Sequence, residues 1–181
     1  MTTKKIKGLI LSSKNFFESD KLIDCFTENE GKLQCLIKSA QKISSNYGGK
    51  CDPLTVIEGV IYVGKSFNIL SQISLVQSFE NLRKNFNTLQ TALFYLKVIK
   101  TSTEYTQKNK NLYTLLLHHL AQLNESKYEI TTCKNQFYTD YLAAEGLLES
   151  KNTVITEDTF IRILSDYTNK IITSPLYIKA M

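Results

Sequence analysis

Arginine, proline and glycine are scarce in this chain, and each shortage narrows what it can be. Of 181 residues only two are proline and seven glycine, which argues against a long disordered tail or a collagen-like repeat. Arg83 and Arg162 are the only arginines, so the formal net charge of +5 is carried almost wholly by lysine. That excess suits a polyanionic partner without demanding one. No apolar run approaches the ~18 residues that span a bilayer, and no charged-then-apolar leader opens the chain. A cytoplasmic location with free thiols and no membrane contact is therefore expected.

Catalytic and metal chemistry are also poorly supplied. Cys25, Cys35, Cys51 and Cys133 form no C-x-x-C pair, and the first two fall in apolar, strand-like runs where a buried, reduced thiol is expected. Structural zinc needs four ligands held tetrahedrally, usually as two close pairs. Cys133 has no such neighbour, and His118 and His119 project about 100° apart on a helix, so they cannot both face one ion. No metal or other cofactor is expected. Neither histidine belongs to a nucleophile motif, and no P-loop or G-x-G-x-x-G occurs, so the chain reads as a non-enzyme without a small-molecule substrate. Glu18 and Asp20 read as turn and cap groups rather than an acid/base pair, and Phe16 and Phe17 as plugs of the fold.

What is present divides into two patterns. Ile6, Gly8 and Ile10 alternate with Lys7, Leu9 and Leu11, and 22–26 and 33–37 are short β-rich runs around a polar turn ending in Gly31. Residues 54–63 and 67–73 complete five strands, with Gly59 suited to a bulge or tight bend. Five short antiparallel strands in about 75 residues fit a small closed barrel. From Ser78 onward the apolar spacing becomes helical. One stripe is Leu89, Ala92, Leu93, Leu96 and Ile99, and a second is Leu112, Leu116, Leu120 and Leu123. A third is Phe137, Tyr141, Ala144 and Leu148, and the last runs through Phe160, Ile163, Leu164, Tyr167 and Ile171. The last helix should start after Thr156, with Glu157 and Asp158 in its first turn. The expected organisation is α+β, a β-barrel over 1–77 and an all-helical domain over 78–181.

Between 31 and 51 stand Lys32, Lys38, Lys42 and Lys50 with no carboxylate, interleaved with Ser39, Ser44, Ser45, Asn46 and Tyr47. Lysines there would neutralise phosphates independently of sequence, with a salt-sensitive affinity. Tyr47 could stack a base, and Lys14 extends the basic face. A solvated, solubilising loop would carry the same composition.

The chain also holds, in order, Gly8-Leu9-Ile10-Leu11, Glu18-Ser19-Asp20, Thr27, Gly31-Lys32, Lys38-Ser39-Ala40 and Gly48-Gly49-Lys50-Cys51-Asp52-Pro53. Their order and spacing resemble the amino-terminal region of the RecO family, bacterial recombination mediators. Phe137, Leu142 and Gly146 resemble a helix of the same family. The resemblance implies an oligonucleotide-binding (OB) barrel followed by a helical domain. It implies binding and annealing of single-stranded DNA, contact with the tail of the single-strand-binding protein SSB, and RecA loading with RecR in the bacterial nucleoid. For the SSB tail, Arg83, Lys84, Lys97 and Lys100 are the candidate basic rim. Many members carry a four-cysteine zinc module after the glycine equivalent to Gly146; here no cysteine follows it. Ser174-Pro175-Leu176 lacks the arginine of the family's carboxyl-terminal basic segment. An adaptor whose barrel no longer binds DNA, or an RNA-binding barrel, remain the alternatives.

Overall fold

Alternating apolar residues fold the first part of the chain into five strands, β1 (Thr3–Phe16), β2 (Asp20–Thr27), β3 (Gly31–Ile37), β4 (Thr55–Tyr62) and β5 (Asn68–Ser78). The computed structural model describes residues 2–42, 45, 47, 49–64, 67–148 and 155–174. The strands close into a barrel in the order β1-β2-β3-β5-β4, with a short parallel pairing of β3 to β5 at Cys35↔Asn68 and Leu36↔Ile69. The arrangement is the OB-type barrel of an α+β protein.

The strands are longer than the alternation alone suggests, and bulges are the reason. In β1 the register passes from Ile10↔Cys25 to Ser12↔Asp24, so Leu11 is an extra residue. Beyond it Ser12, Ser13, Lys14 and Asn15 look like a loop, yet they pair with 21–24. In β5 the register shifts opposite Glu58 and Val60, where Gln72 takes a φ of +52°. Gly59 sits at this irregularity, as a glycine suited to a bulge should, and a Cβ there would lie 2.9 Å from Leu70 Cδ1. The interior is aliphatic and sulfur-rich: Ile6, Ile10, Ile23, Cys25, Leu33, Cys35, Ile37, Cys51, Ile57, Ile61, Leu70 and Ile73. All four cysteines are free and buried. Burial pushes the Cys35 thiol up to about 12 and the Cys51 thiol up to about 11.

Two compact units partition the chain, Met1–Ser78 with Thr103–Tyr113, and Phe79–Ser102 with Thr114–Met181. The segment Thr103–Tyr113, which a linear division at 77/78 leaves with the helices, groups with the barrel. Its contacts are specific. Thr106 N–H donates to Lys32 O at 2.9 Å, Tyr105 pairs with Lys32 in a parallel bridge, and the Tyr113 ring packs edge-on against Phe26 at 5.9 Å. Gly31, at φ +73°, admits the strap, because a Cβ there would meet Gln107 O at 2.2 Å.

The second unit contains a 3-10 turn (Glu80–Lys84) and helices α1 (Phe86–Ser102), α2 (Lys110–Glu125, of which residues from Thr114 on belong here), α3 (Ile130–Ala144) and α4 (Glu157–Thr168). Its core is aromatic. Tyr95 stacks on Phe137 at 3.8 Å and Tyr138 on Phe160 at 4.3 Å. Thr156 caps α4 as expected, its Oγ1 accepting from Thr159 N–H at 3.3 Å. Five apolar expectations are corrected, Ala144 and Tyr167 being exposed. Leu93 is exposed, because α1 turns Phe94, Tyr95 and Val98 inward instead. Leu148 lies beyond α3, which ends in a Schellman turn at Gly146 (φ +71°), with Leu147 N–H donating to Leu142 O. Ile171 lies beyond α4, which stops at a left-handed Asn169, and is 92% exposed. No helix among the described residues is long and apolar enough to cross a membrane.

Candidate nucleic-acid interface

Three connections meet at one end of the barrel. The β1–β2 turn holds Phe17, Glu18 and Ser19, the turn leaving β3 holds Lys38 to Lys42, and the β4–β5 connection ends at Phe67. Hydrogen bonds join the first two. Ser39 N–H donates to Asp20 Oδ1 at 2.7 Å, Gln41 N–H to Ser19 O at 2.8 Å, and Gln41 Nε2 to Asp20 O at 2.6 Å. Asp20 thus serves the turn, as its place in the sequence suggested. The third connection joins through rings, Phe16 meeting Phe67 edge-on at 5.5 Å and Phe17 at 4.4 Å.

The predicted residues distribute unevenly over this end. Lys38 and Lys42 are exposed on the locked turn, and Lys14 is exposed on β1 leading to it. Lys50 is half-buried. Nearby, Lys21 is neutralised by Asp52 at 3.2 Å. Ser44, Asn46 and Gly48 lie outside the described residues, as do Lys65, Ser66, Pro175 and Leu176.

Lys32 is corrected outright. It is 5% exposed, its ammonium donates to the Thr103 carbonyl, and it sits 4.7 Å from the centre of the Tyr105 ring. An ammonium removed from water needs such partners, so Lys32 fastens the strap rather than facing solvent. Asp24, also buried, accepts from Ser12 Oγ at 2.8 Å and from Tyr105 O–H at 2.8 Å. Burial first, and then the bond to Asp24, push the Tyr105 hydroxyl up to about 12. The β2–β3 face, one of the surfaces on which OB barrels take oligonucleotides, is here covered by the chain's own strap.

Tyr47 is corrected as well: it packs against the barrel interior rather than standing free. Phe16 and Phe17 are not plugs. Phe17 is 81% exposed and lies at the tip of the β1–β2 turn. Sequence reading missed it because the signal, an aromatic next to E-S-D at a turn, is ambiguous until its φ of +52° is known.

The other candidates lie in the helical unit. Arg83 and Lys84 end the 3-10 turn, where Lys84 Nζ donates to Asn81 Oδ1 at 2.8 Å. Lys97 and Lys100 are exposed on α1, and Lys97 Nζ reaches Thr173 Oγ1 at 2.7 Å. His119 is buried and His118 exposed, as helical geometry required. His119 Nε2 is 3.2 Å from Asp140 Oδ2 but out of line for a hydrogen bond. Among the described residues no three His, Cys, Asp or Glu side chains are grouped to hold a metal ion.

Comparison with known proteins bears on the same region. Residues 1–79 match the family model described as recombination protein O N terminal. The chain is 29% identical over 130 residues to DNA repair protein RecO of Caldicellulosiruptor saccharolyticus, covering 72% of the chain and 53% of that protein. It is 30% identical over 125 residues to DNA repair protein RecO of Caldanaerobacter subterraneus subsp. tengcongensis, covering 69% and 51% respectively. A third DNA repair protein RecO, from Caldicellulosiruptor bescii, is 31% identical over 123 residues, covering 68% of the chain and 50% of that relative. The chain spans about half the length of these curated relatives. With the family model lying on the closed five-stranded barrel and the relatives' similarity running on into the helices, the chain belongs to the RecO family.

Proposed function

We propose that the chain binds single-stranded DNA at the three-turn end of its barrel and anneals complementary strands, as a mediator of recombination and repair. The observation that carries this reading is the hydrogen-bonded junction at Asp20, which sets exposed Lys38 and Lys42 beside the exposed Phe17. The ammonium groups would neutralise phosphates and release counterions. Two strands screened on one basic surface repel each other less, and unpaired bases can then meet. No bond is made or broken, so the activity needs neither nucleotide nor divalent ion and is not enzymic. In this division of labour 1–77 carries DNA, and 78–181 carries protein partners. Arg83, Lys84, Lys97 and Lys100 would be the rim for the acidic SSB tail, with RecR assisting RecA loading. The strap over the β2–β3 face supports the barrel end as the DNA site, since it covers one surface on which such barrels take oligonucleotides.

Replacing Lys38 and Lys42 together with glutamate tests it. Loss of ~2 phosphate contacts should lower the log–log salt slope of single-strand affinity by ~1.4. Anisotropy of a labelled oligonucleotide across a salt series measures this. A fall in slope with a native circular dichroism spectrum supports the site. An unchanged slope removes it, and absence of any binding by the parent protein favours an adaptor. Tighter binding of an equal-length RNA would favour the RNA reading.

A further inference from the structure

Phe17 occupies a position that neither local geometry nor burial favours. Its φ of +52° is a left-handed conformation that a bulky L side chain adopts at a cost. At 81% exposure its ring recovers little of that cost by leaving water. The ring is nonetheless held in place. Phe16 meets it edge-on, with centroids 4.4 Å apart and planes at 69°, and Phe16 in turn rests on Phe67. Beneath them the turn is tied to the Lys38–Lys42 segment through Ser19, Asp20, Ser39 and Gln41. The result is a pre-positioned aromatic with an open face, beside exposed lysines.

Charge decides between occupants. A second copy of this chain would bring its own lysines against Lys14, Lys38 and Lys42, whereas a nucleic-acid strand brings phosphates to them. Tyr47 and Tyr105 are poorer platforms. The first packs on the barrel interior, and the second is engaged by the Lys32 ammonium over its ring and by Asp24 at its hydroxyl.

We infer that Phe17 is a stacking platform for one unpaired nucleobase, and that it makes the barrel end prefer single strands over duplex. This rests on the single-strand-binding reading above. A base inside a duplex has both faces covered and cannot occupy the ring, whereas any unpaired base can, whatever its identity. The lysines supply salt-dependent affinity that duplex and single strand share, and Phe17 supplies the difference.

The chain contains no tryptophan, so Phe17→Trp installs a single indole reporter at the site. Its fluorescence should be quenched by an oligothymidylate of about twelve nucleotides, a length within the reach of one OB barrel. Quenching should be weak with an abasic strand of equal length and with duplex. Phe17→Gly should bind oligothymidylate about five- to hundredfold more weakly, with its salt slope unchanged and its melting temperature equal or higher. If oligothymidylate binds by anisotropy without quenching the indole, the inference fails while the lysine reading stands. Equal losses for abasic and thymidylate strands in Phe17→Gly would overturn it too. So would a change in oligomeric state by sedimentation, which would assign the ring to a second copy. If the parent protein binds no single strand, both readings fall together.

Discussion

The barrel and the helical unit use aromatic residues in opposite ways. In the helical unit Tyr95, Phe137, Tyr138, Tyr141 and Phe160 are wholly buried and packed on one another, Tyr95 with Phe137 and Tyr138 with Phe160 as stacked pairs. In the barrel the interior cluster is built from Ile, Leu and Cys, with Tyr47 at its margin, while Phe16, Phe17 and Phe67 gather at one end. Helices leave wide gaps between their axes that large rings fill well, whereas a five-stranded barrel has room for branched aliphatic chains and little else. An aromatic that a small barrel cannot hold inside must pack outside or serve a ligand. Phe26 takes the first course, buried under Tyr113 of the strap, while Phe17 is left exposed at the barrel end.

Truncating one ring in each unit should break or sharpen this contrast most. Phe137→Ala should cost ~3–5 kcal/mol of stability in urea unfolding, because Phe137 is fully buried against Tyr95. Phe17→Ala should stay within ~0.5 kcal/mol, as exposed substitutions do. Comparable losses would mean that the barrel end is a packing cluster after all.

Gly31→Ala should cost less, ~1–3 kcal/mol, since it combines a left-handed φ with a backbone oxygen that cannot yield easily. Hydrogen exchange in Thr103–Tyr113 should rise in that variant while the Ser39 amide stays protected. Uniform exchange across the barrel would show that the strap is not a separable cover.

The smallest effect concerns pH. Burial, aided by His118, holds the His119 imidazole below the usual histidine range, and Asp140 opposes this without prevailing. The folded state thus binds fewer protons than the unfolded chain. Its stability contribution is intact above the ordinary value near ~6.5 and is lost as pH falls from there toward the folded value. His119→Leu should make the fall of melting temperature below about pH 6.5 shallower. An identical acid limb in both proteins would assign the loss to carboxylates such as Asp140.

Much of the fold is legible in neighbouring residues. Ile6, Gly8 and Ile10 mark β1, Gly31 marks the β2–β3 hairpin, and Thr156 with Glu157 and Asp158 marks the start of α4. The ends of elements were less legible. Leu11 carries a bulge that hides the second half of β1 among polar residues, and Gly146 stops α3 before the apolar stripe does. At the candidate site Lys38 and Lys42 emerged from the carboxylate-free stretch, but Lys32 stands in the same stretch with the same composition and is buried. Phe17 was misassigned because an aromatic pair next to a turn fits a plug as well as a platform.

The amino-acid sequence by itself determined the element types, their order and the family, because periods of two and 3.6 residues and turn chemistry act between near neighbours. Tertiary structure decided which lysines meet solvent and which aromatic presents a face. Lys32 is consumed by a carbonyl 71 positions further along the chain, and Phe17 is raised on a ring that itself rests on Phe67. Burial and exposure depend on contacts between distant segments, and no local pattern encodes which segment will arrive to make them.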